Sequence, residues 1–114
     1  MRDLIVIGAG PGGYEAAAHA GRIGKRVAIV EESLLGGACL NVGCIPTKTF
    51  LKSSRLFAEC RQAACYGVRI EGEVQFDLAA VVERKNRIVA SLVKGVEARS
   101  EERRVGKECR SRWW

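Results

Sequence analysis

The segment GGACLNVGCIPTK, residues 36–48, sets Cys39 and Cys44 four residues apart among glycines and just ahead of a proline. Two thiols at this spacing can ligate a metal, fill a core, or open and close as a disulfide during turnover. A structural zinc site takes about four ligands. The single histidine, His19, lies in a helical stretch near the start, where it reads as an ordinary helix-face residue, so no metal site is expected. Gly43 permits a bend outside helix geometry, which lets the loop bring the two Cα atoms within bridging range. Cys44, just before Ile45-Pro46, falls at a helix N-terminus, where the partial positive charge favours the reactive thiolate. A reactive dithiol therefore ranks first.

Cys60 and Cys65 repeat the spacing inside an alanine-rich helical stretch. Five residues turn a helix by about 500°, leaving the side chains roughly 140° apart. Such a pair is hard to bridge, and both are expected to be buried small hydrophobes.

The elements that must position this chemistry start at the first residues. DLIVIGAGPGGYEAAAHAGRIGKRVAIVEE reads as strand, helix, strand. Leu4 to Ile7 is a continuous apolar run of the kind buried on both faces of a parallel sheet. Tyr14 to Ile23 is alanine-rich and helical, Gly24 ends it, and Arg26 to Val30 forms the second strand. Strand, helix and strand in this length make a parallel, right-handed βαβ unit. Its first turn holds Gly8, Gly10 and Gly13 as G-x-G-x-x-G. Gly8 permits the tight turn, Gly10 lets a pyrophosphate approach, and Gly13 allows close helix–strand packing. Glu31, about 20 residues on, stands where a carboxylate accepts hydrogen bonds from ribose hydroxyls. The turn alone does not distinguish FAD from NAD.

Gly36 to Asn41 reads as a loop, followed by a long helix to about Ala64 that Pro46 suits in its first turn. Gly67 stops that helix, Val68 to Ile70 is a short strand candidate, and a second long helix runs from Asp77 as N-cap toward Val96. The 114 residues suffice for about one small domain, and 47% are hydrophobic. No run approaches the roughly 18 apolar residues of a membrane span. The opening Met1-Arg2-Asp3-Leu4 does not suit a secretory signal, and a cytoplasmic protein without membrane partners is expected. The net charge of +6 suggests nucleic acid, but residues 99–114 carry half of it. The body is only mildly basic, and nucleic acid is not an expected partner.

From Arg99 the chain reads RSEERRVGKECRSRWW, with both tryptophans and no apolar stripe. A solvated basic tail and a nucleic-acid arm are two readings. The segment also resembles the conceptual translation of a sequencing adapter. Residues 1–98 are thus expected to be one domain's native part and 99–114 a non-native tail.

GAGPGG, Glu31 and GGACLNVGCIPTK together closely resemble the flavin-dependent pyridine nucleotide-disulfide oxidoreductases. Within that family the chain is most similar to the dihydrolipoyl dehydrogenase branch, over residues 3 to about 98. The resemblance implies an α/β fold: an incomplete Rossmann-like FAD-binding domain with a βαβ start followed by long helices. It implies bound FAD, with NAD as co-substrate. Cys39 would be the interchange thiol that meets the substrate, and Cys44 the thiol against the flavin. Gly8, Gly10, Gly13, Glu31, Gly37 and Ala38 would hold the cofactor, with Lys48 near the flavin ring. Many relatives carry Thr at position 38 and Ser at 47; Ala38 loses a hydroxyl contact and Thr47 keeps one.

The implied reaction oxidises dihydrolipoamide, free or on a lipoamide-bearing acyltransferase, and passes electrons through the Cys39–Cys44 disulfide and FAD to NAD+. The implied full-length enzyme is a homodimer in which a His-Glu base crosses the subunit interface. A fragment of this size is expected to be inactive and poorly stable alone. Mercuric and glutathione reductases share the cysteine layout and form the alternative within the family. A non-catalytic nucleotide-binding or redox-sensing module is the alternative outside it.

Overall fold

The computed structural model describes residues 1–102 and 106–108. Strand β1 (Leu4–Ile7) leads through the glycine turn into helix α1 (Pro11–Arg22) and strand β2 (Val27–Val30). The two strands pair in parallel, Leu4 opposite Val27 through Ile7 opposite Val30, which completes the expected βαβ unit. Gly24, in the left-handed region at φ +81°, ends α1, and the Lys25 N–H closes the turn on the Ala20 carbonyl at 3.0 Å.

The core is built from small residues. Ala9, Ala17 and Ala20 pack on Val27 and Ile29, with Val6, Tyr14 and Leu35 at the margin. Alanine lets α1 lie close to the sheet, but it removes little apolar surface from water.

β1 departs from the expected strand buried on both faces. Ile5 is 60% and Ile7 88% exposed, and of this strand only Val6 turns to the core. The central strand β2 has neighbours on both edges and is buried at Val27, Ala28 and Ile29. An apolar run thus marks a sheet face that can be covered; it does not say what covers it.

After β2 the chain forms a one-turn helix α2 (Gly37–Asn41) where a loop is expected, then α3 (Cys44–Arg61). α3 stops three residues before the expected Ala64, and a 3₁₀ turn, Ala63–Tyr66, closes at the left-handed Gly67. Val68 to Ile70 forms no strand. The Val68 N–H is taken by the Ala63 carbonyl at 3.1 Å, within the turn and away from any sheet edge. α4 (Leu78–Glu102) starts as expected, with Asp77 Oδ1 accepting the Ala80 N–H at 3.0 Å.

α4 also outruns its expected end at Val96, and strand β3 (Gly106–Glu108) joins β2 in parallel. Pairing through the backbone requires no apolar pattern, which is why Gly-Lys-Glu carries no strand signal. Residues 103–105 and 109–114 of the expected tail lie outside the described residues. Helices α3 and α4 pack against each other.

Candidate dinucleotide and dithiol site

The glycine turn follows from backbone geometry. Gly8 has φ +93°, a conformation that L side chains rarely adopt, and its N–H donates to the Val30 carbonyl at 2.7 Å. Gly13 is demanded by packing, since a Cβ there would lie 1.9 Å from the Gly8 carbonyl oxygen. Gly10 is different. A Cβ at Gly10 would meet nothing within 4 Å, so no protein atom requires glycine there. Gly10 caps α1 without a side-chain hydrogen bond, and Pro11 follows at the first helical position. The first amides of α1 therefore point outward uncapped, an arrangement that fits a dinucleotide pyrophosphate.

Glu31 directly follows β2 and reaches back to this turn. Its Oε2 accepts the Ala9 N–H at 2.7 Å, and its Oε1 accepts the Ser33 N–H at 3.0 Å. These two bonds, Ala9 first, hold the carboxyl below its ordinary pKa against the opposing effect of burial. The carboxylate thus ties the end of β2 to the glycine turn, a role not evident from its spacing alone.

The cysteine segment is fastened to the same turn. The Gly36 N–H donates to the Ala9 carbonyl at 2.9 Å, so Ala9 is engaged through both its backbone groups. Gly37, at φ +60°, sits so close that a Cβ would lie 2.9 Å from the Gly10 Cα. The two glycine motifs meet backbone to backbone. Leu40 is buried beneath α2, and Ala38 is exposed.

Cys39 lies half-buried in α2, and Cys44 is the exposed first residue of α3. Both are free thiols, and the neighbouring Cys44 thiol pushes the Cys39 thiol above its ordinary value, with burial acting in the same direction. The Cys44 backbone N–H and the Lys48 ammonium pull it down. The first amide of α3 thus acts on Cys39, whereas the spacing suggests the helix end as a partner for Cys44. Lys48, one turn into α3, is exposed and brings its charge to the pair.

The expected burial of the second cysteine pair does not hold. Cys60 is half-buried at the end of α3, and Cys65 is exposed in the 3₁₀ turn. Among the described residues no three His, Cys, Asp or Glu side chains gather as a metal site, and no helix is long and apolar enough to cross a membrane. Sequence reasoning missed Ala9, whose backbone joins the two motifs, and Asn41, whose amide braces α2. The consecutive Gly36-Gly37 was the available signal for the first.

A family model described as pyridine nucleotide-disulphide oxidoreductase matches residues 2–111. The dihydrolipoyl dehydrogenase of Acholeplasma laidlawii is 49% identical over 94 residues, 82% of this chain and 28% of the relative. That of Mycoplasma pneumoniae is 48% identical over 96 residues, 84% of this chain and 21% of the relative. The mitochondrial dihydrolipoyl dehydrogenase of Dictyostelium discoideum is 46% identical over 99 residues, 85% of this chain and 20% of the relative. The chain thus spans between a fifth and three-tenths of the length of these relatives. With its glycine turn, its bracing glutamate and its paired thiols, the chain belongs to the pyridine nucleotide-disulphide oxidoreductase family.

Proposed function

We propose that residues 1–98 are the N-terminal part of the FAD-binding domain of a cytoplasmic enzyme that oxidises dihydrolipoamide, and that residues 99–114 are a non-native tail. The observation that carries the functional reading is the placement of Cys39 and Cys44 on either side of the α2–α3 junction, on a segment fastened directly to the glycine turn. A dithiol placed there is held beside whatever dinucleotide the turn binds.

Gly8, Gly10, Gly13, Glu31, Gly37 and Ala38 would hold FAD, and bound FAD would supply a two-electron acceptor for the dithiol and a hydride donor to NAD+. Each Glu31 oxygen keeps a lone pair for a ribose hydroxyl beyond its backbone bond. In the oxidised state Cys39 and Cys44 share a disulfide. A thiolate of dihydrolipoamide attacks Cys39 Sγ, the S–S bond breaks, and Cys44 leaves as the thiolate. The second substrate thiol then displaces Cys39 and closes lipoamide, so two thiols are oxidised and two formed. Lys48 offers positive charge beside the pair while thiolate is present.

The substrate is free dihydrolipoamide or a lipoamide-bearing acyltransferase, and the whole enzyme is a homodimer. At a fifth to three-tenths of its relatives' length, the chain alone is inactive. The test is to express the whole protein that carries this segment and assay NAD+ reduction by dihydrolipoamide. Turnover lost in both Cys39→Ser and Cys44→Ser supports the reading. Oxidation of reduced nicotinamide by glutathione disulfide or mercuric ion, without dihydrolipoamide oxidation, moves the protein to another branch.

A further inference from the structure

We infer that Asn41 is a positioning residue for the dithiol: its carboxamide clamps both ends of the single turn that carries Cys39, and so sets how readily the Cys39–Cys44 bond closes. This rests on the reading of Cys39 and Cys44 as a redox pair. α2 has five residues, far short of the length at which a helix holds itself together in water. Its N-cap is Gly36, with φ +91° and no side-chain hydrogen bond, so only backbone bonds, to Ala9 and from Leu40, hold the turn at that position. Asn41 takes over the task from the other end. Its Nδ2 donates one hydrogen to the Gly37 carbonyl at 2.9 Å and the other to the Leu35 carbonyl at 3.0 Å. Both donors of the amide are then used, one on the turn itself and one on the chain entering it.

Two further bonds run to the next stretch. The Val42 and Gly43 N–H groups both donate to the Ala38 carbonyl, at 2.9 and 2.7 Å, and fold the chain back over the turn. Glycine at position 43 avoids a tight contact there, since a Cβ would lie 3.1 Å from the Ala38 oxygen. Cys39 is therefore held from the Asn41 side and Cys44 is brought up from the Gly43 side. A disulfide forms only across a narrow range of Cα separations. A clamp on one partner keeps that separation when the bond is open, and raises the effective concentration of one thiol at the other.

Asn41→Asp keeps the shape and removes both donors; Asn41→Ala removes the group. The 114-residue chain and both variants would be equilibrated in thiol–disulfide buffers, quenched, and read by mass spectrometry for the Cys39–Cys44 bond, with far-UV circular dichroism alongside. Removing two neutral, half-buried hydrogen bonds should lower the closing equilibrium constant about tenfold, a shift of ~30 mV toward easier reduction. Helical signal should stay unchanged, and the control Asn86→Ala on α4 should match wild type. An unchanged equilibrium in a folded variant overturns the inference. So does loss of helical signal in both variants, because Asn41 would then support the fold and not the pair. If only Asn41→Ala unfolds, Asn41→Asp decides. A wild-type chain that never forms the bond sinks the redox-pair reading itself.

Discussion

Cys39 and Cys44 lie on two different helices that meet at Gly43, whereas Cys60 and Cys65 lie at the end of one helix and in the 3₁₀ turn that continues it. In the first pair the Cys44 thiol acts directly on Cys39, whose ionisation also responds to the Cys44 backbone amide and the Lys48 charge. The second borders an open cavity of about 540 Å³ through Cys60 alone, at the far end of α3 from the glycine turn. Equal spacing thus yields a poised pair only where the chain changes direction between the thiols. The second pair has α3 ending between its members, and the 3₁₀ turn that follows leaves Cys65 exposed.

The sharpest way to break this contrast is to oxidise the chain gently and map its disulfides by peptide mass. A Cys39–Cys44 bond should form and disappear completely in Cys44→Ser, while a double Cys60→Ser, Cys65→Ser variant should form it as well as wild type. A Cys60–Cys65 bond appearing with equal ease would show that spacing suffices.

A second test asks whether the dithiol depends on the turn beneath it. Gly13→Ala drives a Cβ into the Gly8 carbonyl, backbone against backbone, and should cost ~3 kcal/mol or more. In urea titration the midpoint should fall far below that of wild type, and the Cys39–Cys44 bond should weaken with it. A normal midpoint would mean that α1 shifts at little cost and that the two motifs are mechanically separate.

The smallest effect belongs to the exposed edge of the sheet. Arg26 binds Asp3 through its side chain and its backbone N–H, and lowers the Asp3 carboxyl to about 2 from its ordinary 3.8. A folded-state value below the unfolded one means that this contribution is complete above the unfolded value and is lost as pH falls through the folded one. Glu31 is lowered too and acts with the same sign. Asp3→Asn should therefore flatten part of the fall in melting temperature between about pH 4 and 2. Melting curves of the two proteins that superimpose throughout that window would remove the Asp3–Arg26 pair from the account.

What was legible in the sequence was whatever a local rule dictates. Gly8 and Gly13 are required by their own backbone and nearest contacts, so the turn could be read directly. Asp77 caps α4 through a bond three residues long. The misreadings depended on partners outside the segment. Gly36-Gly37 reads as a loop, yet the Ala9 carbonyl and the close seat on Gly10 hold the glycines where the next residues wind into a turn. The exposure of β1 depends on which elements cover each face, which its own four residues do not encode. β3 pairs by backbone alone and leaves no trace in side-chain pattern.

The seat of Gly37 on Gly10 bears on protein engineering. A peptide spanning residues 36–48 would retain both thiols yet lack the floor on which the first of them rests. Transplanting the cysteine motif into another scaffold would thus require grafting the glycine turn with it, as one portable unit in two pieces of chain.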